Sequence, residues 1–182
     1  MHLPALSLLL PLALAGPIKF RQADAGCTDT SMKNFAWTVK DFDFHANYIF
    51  STPAHQNSWG YTTFDLYNPA DKSTTHCSAA SNQLTDFFYG TIQYACDDSR
   101  ANFNFSRPTN QLGVYQSWNC DDQDPQYPIT FTGTGAANLQ LDCSESFYQN
   151  PNWTIGAIYS RRDITCVLAD HEVKPYEMTA IA

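Results

Sequence analysis

The sequence predicts an all-β domain, an antiparallel β-sandwich or β-barrel that is stapled by disulfides and contains at most one short helix. Short segments in which apolar and polar residues alternate recur along the chain, and turn-forming residues separate them. Phe (12) and Tyr (10) are abundant and Met (3) is scarce, a composition that favours sheets over helices. The six cysteines form an even set that can pair completely into three bridges.

At the amino terminus, residues 1–15 predict a secretory signal peptide. Residues 3–14 are almost entirely apolar, and Ala13 and Ala15 place small side chains at the two positions that signal peptidase inspects. The apolar run is too short to span a bilayer, which requires about 20 residues. We therefore expect cleavage after Ala15 and an extracellular, oxidising location for the mature chain.

The rest of the chain is expected to form one domain behind a flexible arm. Residues 16–26 lack periodicity and end in Gly26, which predicts an amino-terminal arm over residues 16–34. Residues 35–182 contain no internal repeat, linker or low-complexity tract, and they are numerous enough to bury a core of their own. They are therefore predicted to be a single β domain.

Period-two alternation begins with the domain. Residues 35–39 alternate, and Phe42 and Phe44 continue with the opposite parity after Asp41, which predicts a β-bulge there. The most regular apolar face belongs to residues 112–120, so Trp118 is expected in the core. The same period recurs in residues 61–67, 91–96, 103–105, 129–131, 137–143, 155–159 and 164–168.

Turn-forming sequences separate these segments, as is typical of antiparallel strands that follow one another along the chain. One or two helical turns are predicted within residues 79–88, and no other helix is expected. The predicted turns lie at residues 68–69, 97–99, 121–125, 133–135 and 150–152.

The charge of the chain excludes two classes of partner. The formal net charge is −8 at pH 7, and Arg161-Arg162 is the longest basic cluster. Nucleic acids and anionic membrane surfaces both require a concentrated positive patch, so neither is an expected partner. Acidity of this size is expected to keep a secreted monomer or homodimer soluble.

Catalytic and metal-binding motifs are missing from the sequence. The three glutamates occur late, and no Gly-x-Ser-x-Gly, His-Glu-x-x-His or phosphate-loop motif is present. The histidines that follow the predicted signal peptide lack the His-x-His or His-x-x-x-His spacing of a zinc site: His45, His55, His76 and His171. We therefore predict a non-enzymatic protein without a cofactor or metal.

Two alternatives remain beside that prediction. The first is a small secreted glycan-active hydrolase, because two carboxylates from distant strands can form a glycosidase pair. The second is a structural extracellular protein without a discrete ligand. Converging titratable groups in one cleft would favour the hydrolase, and an exposed aromatic patch without them would favour a binding protein.

Three aromatic residues near turns are candidates for a binding surface. Trp59 and Tyr61 flank Gly60, and Trp153 follows the turn at residues 150–152. An exposed ring in such a place offers a platform for a sugar or another ligand. The alternative is that each ring anchors its loop onto the core.

Two Asn-x-Ser/Thr sequences are candidate N-glycosylation sites, as suits a secreted chain. They are Asn104-Phe105-Ser106 and Asn152-Trp153-Thr154. In each, the aromatic middle residue is expected to pack inward while the asparagine faces water.

The cysteines are expected to form structural disulfides. They are widely spaced and include no Cys-x-x-Cys pair, so neither a zinc ribbon nor a redox site is indicated. Six cysteines allow 15 connectivities. All six are expected to pair within the chain: Cys27, Cys77, Cys96, Cys120, Cys143 and Cys166.

Three short segments, taken in order, form a recognisable pattern. They are Trp37-Thr38-Val39 followed by Phe42, then Cys77-Ser78-Ala79, and then Tyr94-Ala95-Cys96. Behind a predicted signal peptide, this order resembles the Alternaria-major-allergen-like family of small fungal secreted proteins. The resemblance extends over roughly residues 35–166.

The resemblance implies a disulfide-bridged β-barrel or sandwich without known catalytic residues. It also implies a fungal extracellular protein that acts as an allergen, an elicitor of plant defence or an effector. We therefore expect a secreted interaction protein that recognises a host protein or a cell-wall component.

The resemblance further implies a Cys77–Cys96 disulfide. For the other four cysteines we expect Cys120–Cys143 and Cys27–Cys166, the latter fastening the arm to the last strand. Some members of the family dimerise through an amino-terminal cysteine, and internal pairing of Cys27 would remove that mode.

Overall fold

The computed structural model describes residues 25–82 and 92–182. The predicted signal peptide and residues 16–24 of the predicted arm lie outside them. Of the described residues, only a six-residue segment is helical, and it is too short to cross a membrane. The elements are α1 (Cys27–Met32), β1 (Trp37–Thr52), β2 (His55–Asn68), β3 (Ser73–Ser81), β4 (Tyr94–Ala95), β5 (Ala101–Ser106), β6 (Gln111–Cys120), β7 (Ile129–Asn138), β8 (Cys143–Gln149), β9 (Ser160–Cys166), β10 (Ala169–Val173) and β11 (Pro175–Ile181).

The strands form two antiparallel sheets. The first sheet has the order β3-β2-β1-β9-β8, and β10 also pairs with β1. The long strand β1 accommodates both neighbours, because its first part pairs with β10 and its second part with β9. The second sheet has the order β11-β7-β6-β5-β4. The predicted all-β, sandwich-like fold is confirmed.

The two sheets are joined at both edges. On one side, Lys174 alone separates β10 of the first sheet from β11 of the second. On the other side, Cys77 in β3 is bridged to Cys96, which follows β4 directly. The inner faces of the sheets therefore enclose one core.

That core is mainly aromatic. Trp118 stacks on Phe35 and Phe131, with ring centroids 4.8 Å and 5.8 Å away, and meets Trp37 edge-on at 6.2 Å. Such pairs add a geometric preference to the area that the rings bury. The predicted inward face of residues 112–120 is confirmed, because its alternate members are all buried: Leu112, Val114, Gln116, Trp118 and Cys120.

One buried amide connects the two sheets across this core. The Oε1 atom of Gln116 in β6 accepts hydrogen bonds from Trp37 Nε1 (2.8 Å) in β1 and from Asn68 Nδ2 (3.0 Å) in β2. Asn68 Oδ1 in turn accepts from the Ala70 backbone N–H at 2.9 Å. Polar groups in the core are thus paired with one another across the two layers.

The β-bulge predicted at Asp41 is confirmed. Asp41 has a φ of 51°, and the pairing of β1 with β2 shifts register between Lys40 and Asp43. The extra residue reverses the parity of the strand, so that Val39 before it and Phe42 after it both face the core.

The turn predicted at residues 133–135 is wrong, because both glycines lie inside β7. A Cβ atom on Gly133 would lie 2.8 Å from Cη2 of Trp37, and one on Gly135 would lie 2.5 Å from the Lys174 carbonyl oxygen. These glycines therefore make room for a core ring and for the β10–β11 corner.

Other predicted elements are displaced. Residues 139–142 connect β7 to β8, and residues 155–159 precede β9, with Ile155 exposed to solvent. The alternation in the first connection still marks the face that meets the core, because Leu139 is buried and Leu141 packs against the core, whereas Ile155 in the second connection does not. The helix predicted within residues 79–88 is not found in its described part, because residues 79–81 belong to β3 and residues 83–88 lie outside the described residues.

The described part of the predicted arm is packed on the domain. Helix α1 is bridged to the end of β6 by Cys27–Cys120, and Ser31 Oγ accepts a 2.9 Å hydrogen bond from Trp118 Nε1. The Thr28 hydroxyl donates to the Asp122 carboxylate at 2.5 Å, and this bond is the main reason that the pKa of Asp122 lies below its usual range. The short helix thus covers the end of the core that contains Trp118.

All six cysteines are paired, and Cys77–Cys96 is confirmed, but the other two expected pairings are wrong. The structure contains Cys27–Cys120 and Cys143–Cys166 in place of Cys120–Cys143 and Cys27–Cys166. Cys143 and Cys166 are directly opposite in the β8–β9 ladder. Spacing along the chain does not reveal such cross-strand neighbours.

Removal of the Cys27–Cys120 bridge tests this connectivity. Because it spans 93 residues and Cys143–Cys166 spans 23, loop-closure entropy favours the longer bridge by about 1.2 kcal/mol. We expect Cys27→Ser/Cys120→Ser to lower the free energy of unfolding more than Cys143→Ser/Cys166→Ser does. Non-reducing peptide mapping first establishes the disulfide pairs. Urea denaturation then measures the free energy of unfolding of both double variants. A Cys120–Cys143 peptide would contradict the structure.

Replacement of Trp118 tests the aromatic core. Trp118→Ala removes a buried ring and leaves a cavity, so we expect a loss of about 3–5 kcal/mol in the free energy of unfolding. Trp59→Ala is the control, since that side chain is 48% exposed and surface substitutions usually cost less than about 1 kcal/mol. Equal losses for the two variants in urea denaturation would refute the packing described above.

The half-buried imidazole of His171 links stability to pH. Its ring meets Phe42 edge-on at 6.1 Å, and its Nε2 atom is buried without a hydrogen-bond partner. Burial lowers the pKa of His171 below 6.5, against the opposing effect of the Asp170 carboxylate. The folded state therefore binds the proton less readily than the unfolded chain does. The stabilisation that comes from keeping His171 neutral is therefore fully present above about pH 6.5. It is lost as the pH falls through the lowered pKa of His171.

We expect the free energy of unfolding to fall as the pH is lowered from about 7 to about 5. In His171→Gln this fall should be smaller. Urea denaturation at several pH values measures it. His55→Gln, which replaces an exposed imidazole, is the control and should keep the native slope. If His171→Gln kept the same pH dependence of the free energy of unfolding as the unsubstituted protein, other titrating groups would be responsible for it.

Candidate functional site

A groove of about 480 Å³ lies on the outer face of the second sheet. It is formed by residues of β5, β6, β7 and β11, whose alternate residues point away from the core. On β6, for example, Gly113 and Tyr115 line the groove, whereas Leu112 and Trp118 are buried on the other face. The regular core-facing strand therefore also builds the outer site.

Small residues form the floor of this groove. Asn104, Gly113 and Ala136 lie side by side on β5, β6 and β7, because the register pairs Asn104 with Gly113 and Gly113 with Ala136. A Cβ atom on Gly113 would lie 2.7 Å from Oδ1 of Asn104. Glycine at this position therefore allows the Asn104 amide to lie close to the sheet.

The polar lining consists of neutral groups. Four side-chain amides contribute, and each offers both hydrogen-bond donors and an acceptor: Gln93, Asn102, Asn104 and Gln111. Among the described residues, the lining includes no carboxylate, imidazole, thiol, lysine or arginine. Such a surface can bind a polar ligand, but it lacks the acid and base that proton transfer near neutral pH requires.

Two tyrosine rings border the groove. Tyr115 in β6 is 37% exposed and Tyr176 in β11 is 71% exposed, so both present ring surface to solvent. Tyr115 is paired in register with Asn102 on one side and Thr134 on the other. The rings and the amides thus lie on the same face of the sheet.

The structure brings two of the three predicted binding aromatics together on the first sheet. The rings of Trp59 and Tyr61 stack at 6.2 Å, and Tyr61 stacks on His45 at 5.0 Å. Burial and the Asp43 carboxylate raise the pKa of the Tyr61 hydroxyl. This aromatic row lies on the outer face of β1 and β2, apart from the groove on the second sheet.

The third predicted aromatic has the geometry of a loop anchor. Trp153 Nε1 donates to the carbonyl oxygens of Ser51 (3.2 Å) and Ala157 (3.0 Å). Its ring meets Tyr159 edge-on at 5.8 Å. These contacts fasten the connection before β9 to the end of β1.

The two sequon asparagines occupy different surroundings. Asn152 is exposed in the turn after β8. Asn104 is half-buried in β5 and lines the groove. Glycosylation of either residue remains a prediction, but a glycan on Asn104 would occupy the groove itself.

A second polar cluster has the connectivity of a catalytic triad. His76 Nδ1 lies 2.8 Å from Asp65 Oδ1, and His76 Nε2 lies 3.0 Å from Thr63 Oγ1. However, β2 pairs with β1 on one side and β3 on the other, which engages its backbone N–H groups in the sheet. This part of the sheet therefore offers no N–H pair for an oxyanion hole, and we describe the cluster as a cross-strand polar network.

Of the groove residues, the sequence singled out Asn104 alone, and only as a glycosylation candidate. Tyr115 and Gly113 occupy the outward positions of the alternating segment at residues 112–120. The prediction for that segment concerned only its inward, apolar positions. Tyr176 lies in the tail, where no strand was predicted. The sequence does show amides and small residues at outward strand positions. These residues indicate a common site only when it is known which strands are neighbours in the sheet.

Two sheets, three disulfides and a neutral groove define a small disulfide-bonded β-protein. Residues 39–166 match the family model of Alternaria alternata allergen 1, and the chain belongs to this family. The predicted resemblance is thereby confirmed, and membership supports an allergen-like, non-enzymatic protein.

A crystal structure of the Alternaria alternata major allergen Alt a 1 is similar to this chain. The identity is 19%, the TM-score is 0.41, and the match covers 81% of this chain and 95% of the allergen chain. A search of curated proteins finds no match.

Proposed function

We propose that the protein is secreted and acts by recognising a cell-wall component, as an effector or elicitor, without catalysing a reaction. The observation that supports this most directly is the groove on the second sheet, where neutral amides and two tyrosine rings converge. Polar groups that converge in a concave site are typical of ligand recognition. The three disulfides suit an oxidising, extracellular location.

Two of the three glutamates are engaged in ion pairs that do not favour the glycan-active hydrolase. Glu145 makes a two-pronged ion pair with Arg162, with the closer contact at 2.8 Å, and hydrogen bonds from Arg162 lower the pKa of Glu145. A general acid needs the opposite shift. Glu172 pairs with Lys174 at 3.2 Å in an exposed position, so neither carboxylate lies in an apolar cleft.

Secretion from a yeast host, followed by incubation with insoluble plant and fungal cell walls, tests this proposal. We expect the protein in the medium to begin at Gly16, to be depleted from solution by one of the wall preparations, and to release no reducing sugar. Serum albumin at the same concentration is the control for non-specific adsorption.

Three outcomes would contradict the proposal. The first is retention of the protein in the cell. The second is failure to bind either wall preparation. The third is sugar release that Glu145→Gln abolishes, which would establish the hydrolase instead.

A further inference from the structure

We propose that the groove on the second sheet binds a neutral oligosaccharide chain that lies across β5, β6 and β7. This inference rests on the proposed recognition function and names the ligand class and the residues that hold it. It is carried by the shape of the groove, the chemistry of its lining and the absence of charge among the lining residues in the described part of the chain.

The shape follows from the register of three strands. Asn104, Gly113 and Ala136 form one row across the sheet, and Asn102, Tyr115 and Thr134 form the next. The first row has small side chains at its centre, so the surface is lowest there and the taller second row forms a wall. The resulting channel runs perpendicular to the strands and crosses all three of them.

The amides supply the hydrogen-bonding groups that sugar hydroxyls require. A hydroxyl both donates and accepts, and a side-chain amide likewise carries donors on its nitrogen and an acceptor on its oxygen. Asn102 and Asn104 lie on the β5 side of the channel, and Gln111 lies on β6. Several successive hydroxyls can therefore be paired along one ligand.

The tyrosine rings supply apolar faces for the C–H surfaces of sugar rings. Tyr115 is on β6, and Tyr176 is on β11, two strand spacings or roughly 10 Å away. Tyr176 falls between the residues that pair with Gly135 and Thr134, where the register of β11 shifts. This irregularity places an exposed ring at the end of the channel.

Charge separates this ligand class from the alternatives. No charged side chain is among the lining residues that the structure describes, so an anionic or cationic ligand gains no ion pair with them. The net charge of −8 also repels acidic polysaccharides at long range. A neutral, hydroxyl-rich chain is the polymer with the least unfavourable electrostatic energy on entering this site.

Titration with soluble hexasaccharides tests the proposal. Laminarihexaose, cellohexaose and N-acetylchitohexaose represent neutral fungal and plant wall polymers, and calorimetry or NMR measures the affinity. Because Asn104 lies in a sequon and in the groove, the protein is prepared as Ser106→Ala, which removes the acceptor sequence and leaves the amide in place.

The variants are matched for exposure. Tyr176→Ala removes one border ring, and Tyr127→Ala removes a ring that is equally exposed, at 71%, in the connection between β6 and β7. Ala136→Gln raises the floor of the channel without deleting a contact. We expect at least one hexasaccharide to bind, and both groove variants to weaken it about fivefold to tenfold, while Tyr127→Ala leaves the affinity unchanged.

Two results would overturn this inference while leaving the proposed function intact. One is wall binding by the native protein without measurable affinity for any of the three hexasaccharides. The other is hexasaccharide binding that Tyr176→Ala and Ala136→Gln do not change. Loss of wall binding altogether would instead count against the proposed function.

Discussion

The buried amide of Gln116 is the interaction on which the arrangement of the two sheets depends. It accepts hydrogen bonds from one residue of β1 and one of β2, and both donors lie in the core. Each donor would be left unpaired if the sheets shifted against one another, at a cost of about 1–3 kcal/mol per group. Aromatic packing fills the space between the sheets, and its preferred ring geometries fix their relative position less sharply than hydrogen bonds do. The amide adds a directional constraint on how one sheet lies over the other, whereas the register of the groove comes from strand pairing within the second sheet.

The sequence predicts the fold well and the site poorly, and both outcomes have the same physical cause. A strand reveals its inward face by alternation, so the buried face of residues 112–120 and the bulge at Asp41 were predictable. Gly133 and Gly135 misled that prediction because glycine marks both turns and close approaches, and here the approaching group is Trp37. The groove lies on outward positions of four strands that are not all consecutive. Only their order in the sheet places those positions together, and a single sequence does not contain that order.

The predicted aromatics illustrate the same distinction. Trp59 and Tyr61 are two residues apart in one strand, so their shared face follows from the period of a strand. Trp153 lies in an irregular connection, and its hydrogen bonds to two carbonyl oxygens show what it contacts only once the fold is known. Local periodicity thus predicts neighbours within a strand. It does not predict partners from distant parts of the chain, as the incorrect disulfide pairings also show.

The disulfide connectivity has a consequence for cleavage by proteases. Cys27–Cys120 and Cys77–Cys96 lie within the part of the chain that ends with β6, and Cys143–Cys166 lies within the part that begins with β7. The exposed connection at residues 121–128 is therefore not spanned by any bridge. One cut there would leave two polypeptides that lie side by side in both sheets but share no covalent bond. Such a nicked molecule would keep its shape in water and come apart in denaturant without any reductant.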